Sequence, residues 1–266
     1  MKVSTSTYYY KSDVQRNSDE ALRIKIEAII ELLPDSGYRT VTAKLRESMV
    51  INAKRVLRVM RKYGLLANKK RKFIAKTTQS GHNLRKFSNL IKDLQIVRPA
   101  QVIVGDVTAF DIRGKDHFLA LLMDLHTREN IGMAVSDKND TALVLACLND
   151  AITQGINFCR TIHHTDSDVR YCSSAYVNRA AECGLTMSMT VGNVYENAHA
   201  ESLNGTYKRQ EINVNEYENK QSAAASLFRF RNIYNTQRPH SSLGNLSPQA
   251  FRIKFEAENS KRGLQF

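Results

Sequence analysis

The chain has 266 residues, of which 42% are hydrophobic and 24% charged; these are ordinary globular values that exclude wholesale disorder and leave room for one large domain and a smaller one. The formal net charge is +13, and the excess is local: residues 1–98 hold 22 Lys and Arg against 8 Asp and Glu, whereas residues 99–266 hold 17 against 18. That asymmetry predicts two parts with different tasks, the first attracting a polyanion such as nucleic acid, with a solvated lysine-rich surface as the plain alternative. Cys147, Cys159, Cys172 and Cys183 show neither CxxC pairing nor zinc-like spacing with histidine. With no secretory segment and no apolar run near the ~18 residues of a spanning helix, the expectation is a cytosolic setting, free thiols and no membrane partner.

The opening residues are polar and turn-prone. Ser18 is placed to cap a helix over about 19–33, in which Leu22, Ile26, Ile29, Ile30 and Leu33 recur near helical spacing before Pro34. Two shorter helices are predicted over about 40–48 and 52–63, joined by an apolar turn at Met49–Ile51. Asn52 serves as N-cap and Gly64 as stop. In the second of these, Val56, Val59, Met60 and Tyr63 form a core stripe, and Lys54, Arg55, Arg58, Arg61 and Lys62 form a basic front. An apolar back and a basic front on the second of two short helices suit a helix-turn-helix reader of the major groove. No acidic residue occurs from Ser48 to Lys92, and Lys69, Lys70, Arg71 and Lys72 prolong the positive track. The competing reading is an amphipathic surface helix with solvated cations.

Residues 73–98 read as a basic connector, with a helix expected near 83–94. From about 101 the pattern turns to strands: QVIVGDVTAF, a turn at Arg113, Gly114 and Lys115, then DHFLALLMDLHT and ENIGMAVS. Asn139 is expected to cap the helix that follows. CRTIHHTD is a short strand, a helix lies near 173–183, LTMSMT is a fifth strand, and helices begin near Asn197 and span about 219–236. The order β-β-β-α-β-α-β-α predicts an α/β mixed sheet with helices on both faces.

Three acids carry the candidate chemistry. Asp106 lies mid-strand, where an uncompensated charge in a central strand is costly and a metal partner removes the difficulty; a strand-edge aspartate facing water is the alternative. Asp166 ends a strand, the usual ligand side of an open α/β sheet, and Asp168 competes with it by position. Glu201 shares a helix face with Asn197 and Lys208, and Gly205 one turn later would admit a close backbone. Magnesium prefers such oxygen ligands, and two ions ~4 Å apart can clamp the attacking and leaving oxygens of a phosphodiester. His163 and His164 beside Asp166 invite a transition-metal reading; His164 is assigned instead an orienting or DNA-contacting role, and His199 a place on the helix surface.

HHTDSDVRYCSSAYVNRAAECGLTMSM, GNVYENAHAESLNGTYK and YNTQRPHSSLGNLSPQAF together resemble the core of bacterial insertion-sequence transposases of the DDE type, in the group made from two overlapping reading frames. VSTSTYYYK and the basic helix pair resemble the start of that group's second frame, so the resemblance covers nearly the whole chain. The sequence departs from the family at Ile103, where tryptophan is usual, at Ser167 and Asp168, where Arg-Gly is usual, and by one residue missing near Thr190–Gly192.

The resemblance implies a ribonuclease-H-like, retroviral-integrase-like core over 99–215, behind a helix-turn-helix module over 1–72 and the connector 73–98, with a helical extension over 216–266. It implies that Asp106, Asp166 and Glu201 are catalytic and hold two Mg²⁺ ions, with Mn²⁺ able to substitute. It implies DNA contacts at Lys208, and Arg238 and His240 either join them or pack the C-terminal helix. The implied partners are element-end and target DNA, a second copy on DNA, and an upstream-frame protein, at the bacterial nucleoid. A decayed transposase that only binds DNA, and a nuclease that cuts without joining, are the alternative classes.

Overall fold

The computed structural model describes residues 13–67, 84–190 and 198–260. The chain divides into two units, Met1–Lys70 and Arg71–Phe266.

The first unit packs α1 (Asp13–Leu32), α2 (Tyr38–Leu45) and α3 (Ala53–Lys62) around one apolar cluster. Leu22 and Ile26 of α1, Val41 and Leu45 of α2, and Val56, Val59 and Met60 of α3 are all buried there, as their spacing predicts. The Asn52 side chain caps α3 by accepting from Lys54 N–H at 2.8 Å. Gly64, with φ +68°, ends it in a left-handed turn, and Leu65 N–H reaches back to the Met60 carbonyl at 2.8 Å. Ser18 caps nothing: α1 starts five residues earlier, at Asp13, and places Ser18 inside the helix. The turn before α3 is apolar but only half buried, with Ile51 inside and Val50 wholly exposed.

The second unit is built on a five-stranded sheet with the order β3-β2-β1-β4-β5. The strands are β1 (Val102–Ile112), β2 (Lys115–Asp124), β3 (Asn130–Ser136), β4 (Thr161–Thr165) and β5 (Leu185–Met189). β1 is antiparallel to β2 and β2 to β3, whereas β4 runs parallel to both β1 and β5. Period-two alternation sends Ile103 and Val107 of β1 to one face and Val102, Val104, Phe110 and Ile112 to the other. The first face is covered by α4 (Thr141–Thr153), the short α5 (Val169–Cys172) and α6 (Ser174–Glu182). The second is covered by α7 (Ala198–Tyr207) and α8 (Lys220–Gln237); a π-helical turn at Lys208–Ile212 follows α7, and α9 (Pro248–Ser260) closes the described chain. Ile103, the residue standing in for tryptophan, is fully buried against the first face.

Two local expectations, the Asn139 cap and the connector helix, are corrected. Asp140, not Asn139, caps α4, accepting from Leu143 N–H at 3.1 Å, because the Asn139 side chain is taken by the Arg170 guanidinium. The helix expected near 173–183 is α6, preceded by the short α5; the Ser173 hydroxyl between them caps α6 by accepting from Tyr176 N–H at 3.3 Å. Residues 84–94 form no helix. Phe87 packs against the first face of the sheet and Ile91 against the second, yet residues four apart would share one side of a helix. Between them Leu90 N–H donates to Ser188 Oγ on β5 at 2.9 Å, which ties the segment to the sheet edge.

The outer edge of β3 is closed by side chains. Asn235 of α8 accepts from Asn130 N–H and donates to its carbonyl, both at 2.9 Å, as a neighbouring strand would. Asp150 takes Met133 N–H at 2.8 Å and is itself paired with Arg231.

Candidate active site

Asp106 is the one charged residue in the row that β1 presents to α7 and α8. Gly105 and Thr165 are the last parallel pair of β1 and β4, so Asp106 and Asp166 are the next residues along the two strands. On the other face of β1, Gly105 makes room for its neighbours: a Cβ there would lie 2.9 Å from Leu122 Cδ2 and 3.1 Å from His163 Cε1. Asp166 is anchored through its neighbours. Thr190 N–H donates to the Thr165 carbonyl at 3.0 Å, and Ser167 Oγ donates to the Thr190 carbonyl at 3.0 Å.

The Asp106 carboxylate is held at both oxygens. Val107 N–H donates to Oδ1 and Asn204 Nδ2 to Oδ2, each at 2.8 Å. Burial, and then the charge of Asp166, push its carboxyl up from 3.8 to about 7; the two hydrogen bonds oppose the rise, and Glu201 adds a smaller push. Glu201 itself is exposed, in the first turn of α7, a helix fixed by Ala200, Leu203 and Tyr207 in the core. Lys208 opens the π-helical turn; burial lowers its pKa, and the nearby Asp106 carboxylate opposes that shift. Among the described residues, no three His, Cys, Asp or Glu side chains stand together closely enough to hold a metal ion. Asp106 is near enough to feel the charge of Asp166 and, more weakly, that of Glu201.

Asp168 has a different occupation from Asp166. It is buried, caps α5 by accepting from Arg170 N–H at 2.9 Å, and ion-pairs with the buried Arg170 guanidinium at 2.5 Å. The two histidines before Asp166 differ. His163 points to the opposite layer, where its Nε2 meets the Tyr176 hydroxyl at 2.8 Å, and burial lowers its pKa to about 4. His164 is fully buried, with Nδ1 2.9 Å from Ser188 Oγ; that corrects a DNA-contacting role and leaves the orienting one, since Ser188 holds the connector at Leu90. The donors bordering the site are thus carboxylate oxygens without imidazole, a set that suits a hard divalent ion.

Residues 97–192 and 184–248 each match a family described as "Integrase core domain", and residues 17–73 match an "HTH-like domain". The chain is 33% identical over 262 residues to the insertion element IS600 31 kDa protein of Shigella sonnei, covering 95% of this chain and 96% of that protein. It is 31% identical over 246 residues to the transposase for insertion sequence element IS904 of Lactococcus lactis, covering 91% and 96%. The chain belongs to the insertion-sequence transposases. Its enzyme class is therefore that of the polynucleotidyl transferases, with DNA as substrate. Among solved structures, the HTLV-2 integrase catalytic core domain in complex with magnesium aligns at 13% identity and a TM-score of 0.45, over 58% of this chain and 97% of that one.

Other residues of the transposase singled out by sequence are placed as follows. Arg238 donates from Nε to Gln210 Oε1 and from Nη1 to His240 Nε2, both at 3.0 Å, and lies over the Tyr234 ring. His240 packs edge-on to the same ring; burial and then Arg238 lower its pKa to about 3. Both residues brace the end of α8. A Cβ at Gly205 would meet only the far end of the Arg209 side chain, at 3.4 Å, so nothing within the fold demands glycine there. Asn197 lies outside the described residues. Among the five cations of α3, Lys54, Arg58, Arg61 and Lys62 are exposed and Arg55 is half-buried. Asn204 escaped the sequence reading. Its one available signal is its place at i+3 from Glu201, on the side of α7 that also carries Lys208.

Proposed function

We propose that the transposase cuts DNA at the ends of its insertion sequence and joins the freed 3′-hydroxyl to target DNA, using Asp106, Asp166 and Glu201 as ligands for two magnesium ions. The supporting observation is the register of β1 and β4, which sets Asp106 beside Asp166 on the face of the sheet that α7 covers. Bound magnesium, or manganese in its place, would supply Lewis acidity at the attacking and leaving oxygens.

The protein's own groups prepare the rest. Val107 N–H and Asn204 Nδ2 fix the orientation of the Asp106 carboxylate while leaving each oxygen a further lone pair. Asp168 and Arg170 hold the chain just past Asp166 rigid. Lys208 offers a cation to a DNA phosphate beside the acids. Residues 1–72 bind element ends through α3, residues 99–215 carry the chemistry, and residues 216–266 brace the core through α8. The enzyme acts as at least a dimer, since two DNA ends must be paired, and an upstream-frame protein joins it as partner or fusion.

The test is a strand-transfer assay on duplexes bearing the DNA that flanks the gene, with Mg²⁺, Mn²⁺ or EDTA. Wild type is expected to yield joined product with either metal and none in EDTA. Asp106→Asn, Asp166→Asn and Glu201→Gln are each expected to abolish joining while leaving DNA binding intact. Undiminished joining in all three variants would end the triad assignment.

A further inference from the structure

The cations of α3 are not equivalent. Taken at about 100° per residue, Val56, Val59, Met60 and Tyr63 centre the face turned to the core, and Lys54, Arg58 and Arg61 lie opposite, with Arg55 and Lys62 flanking on one side. On that flank lies Asp19 of α1, which is only 3% exposed. Arg58 Nη2 reaches Asp19 Oδ1 at 2.8 Å, and Arg55 Nη2 and Lys62 Nζ reach its two oxygens at 3.8 Å. Arg55 also donates to the hydroxyl and carbonyl of Ser18. The next residue, Glu20, accepts from the Tyr63 hydroxyl at 2.9 Å, so the polar seam continues along both helices.

We propose that Asp19 sorts the basic residues of α3 into a held row, Arg55, Arg58 and Lys62, and a DNA-facing row, Lys54 and Arg61, and that the DNA-facing row makes the phosphate contacts of this module. The physical ground is the cost of abandoning Asp19. If the three held cations turned to phosphates, a carboxylate with almost no access to water would be left uncompensated, and such breakage costs several-fold more than an exposed ion pair gains. Lys54 and Arg61 carry no such tie. Both are exposed, and neither side chain takes part in an ion pair among the described residues.

The inference rests on the reading that this module binds DNA, and the experiment separates the two. Affinity of the full chain for a random-sequence duplex is measured by fluorescence anisotropy from about 50 to 200 mM salt, where each phosphate contact contributes about 0.9 to the slope of log K against log salt. Lys54→Gln with Arg61→Gln is expected to flatten the slope by about 1.8, so that the variant loses roughly tenfold less affinity than wild type across that range. Because removing the held row alone would strand Asp19 and threaten folding, the second variant combines Asp19→Asn with Arg55→Gln, Arg58→Gln and Lys62→Gln. It is expected to keep the wild-type slope to within about half a unit. Asp19→Asn alone is expected to steepen the slope, since it releases three cations. The proposal is overturned if the fourfold variant flattens the slope while the Lys54/Arg61 pair does not, or if Asp19→Asn leaves it unchanged. Absence of any salt-dependent binding by the wild-type chain would instead remove the DNA-binding reading itself, and the inference with it.

Discussion

Replacing Asp106 with asparagine is expected to stabilise the metal-free protein at alkaline pH. In the folded chain burial, and then Asp166, raise the Asp106 carboxyl from 3.8 to about 7. A carboxyl raised by folding binds its proton more tightly in the native state. Its contribution to stability is therefore full below about pH 4 and is lost as the pH rises through about 7. The full shift from 3.8 to about 7 corresponds to about 4 kcal/mol, and allowance for the partial exposure of the residue brings this to about 2 kcal/mol. Asparagine keeps the shape and removes the charge. Its oxygen can accept from Val107 N–H as now, and its amino group can donate to Asn204 Oδ1 once that amide turns over; this oxygen has no hydrogen bond among the described residues. Thermal unfolding in EDTA, from about pH 5 to about pH 8.5, should show the variant melting roughly 4–8 °C above wild type at the alkaline end, with the gap closing toward pH 5. Mg²⁺ should then raise the melting temperature of wild type and not of the variant. A variant that melts below wild type at alkaline pH, or a gap that does not change with pH, would refute the reasoning.

Two further outcomes follow from the packing. Asp168→Ala should destabilise the second unit by about 3–5 kcal/mol, because it removes the carboxylate paired with the buried Arg170 guanidinium and uncaps α5, whereas Asp166→Asn should leave the denaturation midpoint close to wild type. Equal midpoints for the two variants would contradict the division of labour between these acids. Gly132→Ala should cost about 1–3 kcal/mol in urea denaturation, since its Cβ would lie 2.6 Å from the Cys147 carbonyl oxygen and α4 would have to move off β3; an unchanged midpoint would show that the two elements are not in fixed contact.

The sheet was largely legible because β-branched residues in period two announce a strand without help from distant residues. All five strands fall within or across the segments QVIVGDVTAF, DHFLALLMDLHT, ENIGMAVS, CRTIHHTD and LTMSMT, although β2 stops at Asp124, three residues before its predicted end. The position of Asp106 within β1 was legible for the same reason. What separates Asp166 from Asp168 was not, because the distinction lies in Arg170 and Asn139, which a sequence pattern does not bring together. Asn204 resembles any polar residue on a helix until β1 is packed beneath it. The connector failed as a helix because Phe87 and Ile91 go to opposite faces of the sheet, which helical spacing conceals. The tie between Asp19 and α3 joins residues on separate helices, so charge counting registered a uniform basic front where the fold holds part of it inward.

The central claim, that Asp106, Asp166 and Glu201 form one metal-binding constellation, is tested most directly by anomalous diffraction from crystals of the transposase grown on element-end DNA with Mn²⁺. The account predicts anomalous peaks coordinated by the carboxylates of Asp106 and Asp166 and bordered by Glu201, and their loss in Asp106→Asn. Manganese bound at the buried histidines or at Asp168, or no peak at these three acids at saturating metal, would contradict it.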